Sequence, residues 1–290
     1  MAQVNIEPIG IAVVDKPTGW TSHDIVGKAR KVFSTKKIGH SGTLDPDATG
    51  VLLLGVGRAT RLLQFLTGLD KSYTGEIVFG SETSTLDASG EVVARYDMSR
   101  LNPETVKEAA KLFLGEIEQV PPMVSAIRIG GKRLYEIARE GKEVERPPRR
   151  ICITRFEVNP TKNPLIYEAI VDCSSGTYIR SLAADLGSAL GGGAHLQNLR
   201  RTSVGSFSEL EASPVDNSIL HEPIFGMRDF VNVQVSETVE IEVCYGKILS
   251  YEDLGVDGEG PWAITNQNGK LLAVYEAYGQ RVKPTVVLVG

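Results

Sequence analysis

Residues 39–50 read GHSGTLDPDATG, and the purpose of Asp45 in that stretch decides what fold to expect around it. Asp45 stands five positions after His40 and directly before Pro46, with glycines at 39, 42 and 50. Proline crowds the residue before it out of the helical region, so Asp45 is held in extended or turn backbone. An aspartate in such a place commonly bonds its own main chain and closes a turn. Local chemistry fits that reading, so a chemical role has to be established from the rest of the chain.

A length of 290 residues with 42% hydrophobic content suits one large α/β domain, or a catalytic domain with a small appendage. The three cysteines, Cys152, Cys173 and Cys244, are far apart and no CxxC occurs, so neither a disulfide framework nor a zinc site is indicated. That cysteine usage fits a reducing cytoplasm. The N-terminal stretch MAQVNIEPIGIAVVDK lacks a basic leader, and apolar runs such as VLLLGVG at 51–57 are far too short to span a bilayer. The expectation is a cytoplasmic, soluble protein without membrane contact.

The net charge of −5 argues against a uniformly basic nucleic-acid binder, yet the charge is unevenly placed. Between Arg128 and Arg155 nine cations, Arg146, Arg149 and Arg150 among them, face four glutamates. A second basic run, Lys28, Arg30, Lys31, Lys36 and Lys37, leads into the 39–50 stretch. Phosphate attraction acts over roughly a Debye length, so such local fields matter more to a polyanion than the total does. Alone, either run could equally be a solvated face.

The elements alternate. IGIAVV at 9–14 reads as a strand, and Thr21 to Asp24 opens a helix with capping-box spacing. A loop is expected over 34–50, then a buried strand in VLLLGVG, a short helix in RATRLLQFL and an alternating strand in SYTGEIVFG that puts Tyr73, Gly75, Ile77 and Phe79 on one side. Asn102-Pro103-Glu104 starts another helix. SAIRIGGKRLYEIAREGKEVERPPRR reads as strand, glycine turn, short helix and polar return. ICITRFEV and LIYEAIVDC follow as strands, and YIRSLAADLGSAL is helical until GGG at 191–193 ends it. After about residue 230 the texture becomes short strands and turns, VEIEV first among them, so a small β-rich unit is expected over 231–290 behind a main domain over 1–230.

Several chemistries are excluded by spacing. GVGRAT shares only two glycines with a dinucleotide fingerprint, and no GxxxxGK[ST] occurs. GHSGT is no nucleophile elbow, because Thr43 stands where the last glycine belongs. A base deaminase would need H-x-E with P-C-x-x-C. The histidines at 23, 40, 195 and 221 form no close ligand cluster, so no metal is expected.

VVDKPTGWTSHDIV, GHSGTLDPDATGVLLLGVGRATRL, DKSYTGEIVFG, PPMVSAIRIGGKRLYEIAREGKEVERPPR, CSSGTYIRSLAADLG and HLQNLRRTSVG occur in one order over about residues 10–207. In this they resemble the bacterial TruB family of tRNA pseudouridine synthases. The remaining stretch is more weakly similar to the PUA-like domain of many members. The resemblance implies a mixed α/β (α+β) pseudouridine synthase fold with a large, mainly antiparallel sheet flanked by helices, carrying an RNA-binding insertion at about 121–150 and a small β-rich PUA-like RNA-binding domain.

It further implies a monomeric enzyme that turns uridine into pseudouridine at position 55 in the T-loop of tRNA, with no cofactor and no obligatory protein partner. Asp45 corresponds to the catalytic aspartate, Arg180 to the cation that keeps it ionised, and Tyr73 to the tyrosine that stacks on the uracil and serves the C5 proton transfer. His40 matches the residue that enters the RNA loop, and Leu199 one that lines the uracil pocket. Arg146, Arg149 and Arg150 belong to the RNA-gripping insertion. Lys16 and Pro17 look structural, supporting the Asp45 loop. Two other readings stand beside this one. An RNA-binding or RNA-folding protein could use the same groove without turnover. A guide-RNA-dependent synthase is less favoured, because this chain carries the bacterial-type 39–50 stretch and the full insertion.

Overall fold

The computed structural model describes residues 7–125, 128–129, 131–134, 137, 140, 142 and 144–288. β1 (Gly10–Lys16) runs antiparallel to β3 (Thr49–Val56), from Gly10 opposite Val56 to Lys16 opposite Gly50. Neither strand alternates in sequence because both of its faces are covered, as two-sided burial demands. One face, with Ala12, Val14, Leu52 and Leu54, packs on α1 (Ser22–Val32) through Ile25, Val26 and Ala29. The other, with Ile11, Val13, Val51 and Leu53, meets the 3₁₀ turn Gly57–Leu62 and α2 (Leu63–Thr67). α1 starts where the sequence indicates, with a full capping box between Thr21 and Asp24. β2 (Ile38–His40), expected as loop, instead adds to the edge of β3.

The central strand arrives late. β12 (Ala194–Val204) lies parallel to β3, with Arg200 opposite Thr49 and Arg201 opposite Gly50. On its other side it is antiparallel to β4 (Lys71–Phe79). The sheet continues through β11 (Ile166–Cys173) and β10 (Arg149–Pro160) to β7 (Gly115–Gln119), and β13 (Phe207–Ser208) pairs with β12. Nine strands are thus joined, with the β3–β12 pair as the parallel seam between antiparallel halves.

Small hairpins, β5 (Ser81–Thr83) with β6 (Val92–Arg95) and β8 (Arg128–Ile129) with β9 (Lys132–Arg133), stand apart from it. The short helix read within SAIRIGGKRLYEIAREGKEVERPPRR lies largely outside the described residues. α3 (Pro103–Lys111) starts at its Asn102 cap, and α4 (Ile179–Ala189) lays Leu182, Ala183 and Leu186 on the core beside Phe79, Tyr167 and Leu196.

A four-stranded sheet follows: β14 (Val231–Gln234), β15 (Trp262–Thr265), β16 (Leu271–Tyr278) and β17 (Arg281–Val287), in that order. VEIEV is not a strand. It lies in α5 (Glu237–Cys244), with Glu237 and Glu240 in the first turn, where negative charge suits the helix dipole. Val239 and Val243, four apart, turn inward together while Ile241 is 59% exposed, a division that a strand's alternation could not produce. Val274, Val286 and Leu288 join the cluster that covers β1 and β3, so the two sheets share one apolar core. Among the described residues no helix is long and apolar enough to cross a membrane.

Candidate active site

The loop before β3 is fixed on both sides of Asp45. Ser22 Oγ accepts from Leu44 N–H at 2.8 Å, and Gly19 N–H donates to Pro46 O at 2.9 Å. Lys16, fully buried, spends its ammonium protons on the carbonyls of Pro17, Trp20 and Pro46 at 2.9, 2.6 and 3.0 Å. Burial pulls its pKa down to about 8, with Asp45 and Asp47 working against that fall. Pro17 contributes its carbonyl to this knot. Behind the loop Gly50 has φ +103°, and a Cβ there would stand 2.1 Å from Arg201 O, so the parallel seam requires glycine.

Held this way, Asp45 turns its carboxylate away from its own backbone and toward Arg180. Arg180 Nε lies 3.0 Å from Asp45 Oδ2, and Nη2 donates to Oδ1 at 3.1 Å. This is the two-pronged guanidinium–carboxylate geometry that fixes orientation as well as charge. The Arg180 side chain is 5% exposed against 39% for Asp45, so the cation is walled in while the carboxylate opens to solvent. Burying a guanidinium costs several kcal/mol unless its donors are used. Here Nη1 also donates to Thr85 O at 2.9 Å and lies 3.5 Å from Asp87 Oδ2, and Nη2 donates to Val124 O at 2.9 Å. Burial raises the Asp45 carboxyl above the usual carboxylate value. Arg180 pulls it back, Asp87 pushes the same way as burial, and the net direction is upward.

Tyr73, 7% exposed, faces Arg201 across the β4–β12 pair. Burial raises its phenol pKa and the Arg201 guanidinium opposes that rise. Arg201 is 1% exposed and donates to Val51 O at 2.7 Å and Gly42 O at 3.2 Å, so it ties the 39–50 loop to the central strand. Leu199 sits where the β12 register shifts between Gln197 and Arg200, and its Cα passes 3.6 Å from where Gly75 would carry a Cβ. It packs against the cluster of Leu44, Ala48 and Tyr73. His40 is half-buried, accepts from Gly42 N–H through Nδ1 at 3.3 Å, and is held below its ordinary pKa by burial.

The three arginines divide. Arg149 and Arg150 are exposed on β10, opposite Gln119 and Glu118. Arg146 is half-buried and donates to Pro121 O at 3.0 Å, which anchors it to the root of its own segment.

Asp87 and Arg201 are absent from the sequence reading. Asp87, inside TLDASG, looks like a turn former, and its Oδ1 does accept from Ser89 N–H at 3.1 Å. Only its second oxygen reaches Arg180. Arg201 looks like one more basic residue of NLRRT, and the bulge that turns it inward leaves no periodic signal. Among the described residues no group of three His, Cys, Asp or Glu side chains is placed to hold a metal ion.

Residues 30–179 match the family described as TruB family pseudouridylate synthase, N-terminal domain, and residues 180–218 match the tRNA pseudouridylate synthase B C-terminal domain. The tRNA pseudouridine synthase B of Mycobacterium sp. (strain KMS) is 45% identical, over 96% of this chain and 96% of that protein. The protein of the same name from Streptococcus thermophilus (strain CNRZ 1066) is 43% identical over 96% and 98%. Among solved structures, an H/ACA RNP bound to a substrate RNA containing 2′-deoxyuridine superimposes with a TM-score of 0.73 at 23% identity, over 97% of this chain and 85% of that one. A Cbf5-Nop10-Gar1 complex gives 0.72 at 25% identity over 97% and 84%, which shows a common fold.

Proposed function

This chain belongs to the TruB family of pseudouridylate synthases, and from that premise we propose that it isomerises uridine to pseudouridine in tRNA, at position 55 of the T-loop. The observation that carries the reading is the pairing of an accessible carboxylate, Asp45, with a buried two-pronged guanidinium, Arg180.

The reaction breaks the N1–C1′ bond, joins C5 to C1′, releases the C5 proton and returns a proton to N1. It changes no oxidation state and needs no group donor. An ionised carboxylate serves either as the nucleophile or as the base that assists departure of the uracil. Arg180 keeps enough of Asp45 ionised for that work in a site whose burial favours the acid. Tyr73 stacks on the uracil and serves the C5 proton transfer, with Arg201 favouring the phenolate that accepts that proton. Leu199 lines the pocket.

The target base has to leave its stack, at a cost of a few kcal/mol. His40 enters the RNA loop beside the space it leaves. Arg149, Arg150 and Arg146 belong to the 121–150 segment that grips the RNA. Residues 231–290 form the small appended domain. With eight carboxylates against four cations there, the phosphate contacts fall mainly to the basic segment of the 1–230 unit. In this reading the protein acts as a monomer, without a protein partner, in the cytoplasm.

The test is a tRNA transcript labelled with tritium at uridine C5, incubated with the purified chain alone in EDTA. Isomerisation leaves the mass of the RNA unchanged and releases tritium to water, so release stoichiometric with one uridine is expected. Tight tRNA binding without release would replace this reading by that of an RNA-binding protein.

A further inference from the structure

Gln119 closes β7 and is 2% exposed. A buried carboxamide is tolerated where both its donor and its acceptor are used, and Gln119 uses both on one residue. Its Oε1 accepts from Tyr178 N–H at 2.8 Å and its Nε2 donates to Tyr178 O at 3.0 Å. Tyr178 is the N-cap of α4, with φ −101° and ψ 105°, and it makes no side-chain cap bond of its own. Its carbonyl also accepts the first intrahelical bond, from Leu182 N–H at 3.1 Å. Gln119 therefore fixes the two dihedrals that aim the start of the helix, two residues before Arg180.

Neighbouring contacts run the same way. Ser181 Oγ donates to Val120 O at 3.2 Å, and Arg180 Nη2 donates to Val124 O at 2.9 Å. Through its main chain, moreover, Gln119 pairs with Arg149 on β10. One buried side chain thus stands between the strand pair that leads into the basic segment and the helix end that presents the guanidinium. A glutamate would lose the donor, a leucine both groups, and an asparagine would fall one methylene short.

We infer that Gln119 is a positioning residue of the isomerisation, locking the main chain at Tyr178 so that Arg180 presents both prongs to Asp45 and linking that geometry to the strand pair of Arg149. The inference rests on the pseudouridine synthase reading above. A guanidinium displaced by about 1 Å costs on the order of a hundredfold in rate.

Gln119→Glu and Gln119→Leu are compared with the unaltered chain on tritium-labelled tRNA, measuring kcat, the Kd for tRNA and the melting temperature. kcat is expected to fall by about tenfold to a hundredfold, while the Kd for tRNA stays within about threefold. Combination with Arg180→Lys is expected to cost little beyond Arg180→Lys alone, because Gln119 acts through Arg180 and residues acting as one unit are non-additive. Folded variants with undiminished kcat, or losses that multiply with that of Arg180→Lys, overturn the inference. Gln119→Glu keeps the shape and the acceptor, and it decides the matter if Gln119→Leu does not fold. An unaltered chain that releases no tritium brings down the reading itself, and this inference with it.

Discussion

Around the Asp45 loop the protein buries four cations, Lys16, Lys71, Arg180 and Arg201, each 7% exposed or less, whereas in the four-stranded sheet Thr265 is the single buried polar residue among those described. The small sheet shares the apolar cluster that covers β1 and β3, while Leu44 and Ala48 of the loop belong to the cluster of the large sheet. The small sheet has an ordinary core of Trp262, Ile264, Val274 and Tyr275, whose worth lies in area removed from water. The loop region gives up some of that worth to charges that each cost several kcal/mol to desolvate, and it recovers the cost through main-chain carbonyls: three for Lys16, two each for Lys71, Arg180 and Arg201. Stability alone explains the first arrangement. The second makes sense where a carboxylate and its cation have to be held still for chemistry.

The largest effect that could break this contrast is at Asp45. Asp45→Asn is expected to reduce tritium release to background while the Kd for tRNA moves by less than about tenfold, roughly 1.4 kcal/mol. A folded Asp45→Asn protein that still releases tritium would return Asp45 to the role of turn former, since asparagine serves turns equally well. Arg180→Lys keeps the charge and loses the two-pronged grip, so a fall in kcat on the order of a hundredfold is expected. In the proposed mechanism the active species is the carboxylate, whose pKa burial already raises, so activity should be lost as pH falls through that value. Weaker pairing raises it further, so the acid limb of kcat against pH should move to higher pH in Arg180→Lys. A limb that stays in place, or moves to lower pH, would show that Arg180 does not hold the charge of Asp45.

A smaller effect is expected from the other region. Val286 is 1% exposed in the shared core, and Val286→Ala should cost about 2 kcal/mol by urea denaturation. kcat well below the melting temperature should stay within about twofold. A parallel loss of kcat would mean that the small sheet controls the site as well as supporting it.

The smallest effect is electrostatic. Arg149→Gln with Arg150→Gln should weaken tRNA binding by about tenfold and lower the slope of log K against log salt by roughly 1.5, at about 0.7–0.9 for each phosphate no longer neutralised. Arg146→Gln should lower the slope less than either exposed arginine does, because that side chain is half-buried and donates to Pro121 O. An equal slope change in both would place Arg146 among the groups that neutralise phosphates.

Much of the fold is legible in the sequence alone. The Thr21 capping box, the Asn102 cap and the two-sided burial of VLLLGVG follow from rules that act over a few residues. The meeting of Asp45 with Arg180 is legible only through a motif, since nothing local links residues 135 positions apart. Gln119, Asp87 and Arg201 carry no signal because each has an ordinary local explanation: a polar strand end, a turn and a basic patch. Strand register turns the side chains of Gln119 and Arg201 inward, and Asp87 reaches Arg180 only through the folded turn. VEIEV misleads for the opposite reason, since its alternation is a local signal that tertiary packing of Val239 and Val243 overrides.

The position of β12 sets a timetable for the chain as it leaves the ribosome. β1 and β3 can pair early, and β4, β11, β10 and β7 can pair among themselves, but the strand that joins the two groups is made after all of them. Until Val204 has emerged the halves form two separate sheets with open edges facing each other. At roughly 5–20 residues per second that interval, counted from the completion of β11 at Cys173, is on the order of a few seconds. During it Asp45, in the loop before β3, and Tyr73, on β4, are not yet joined through β12, so in the proposed reading the newborn chain cannot act on passing RNA.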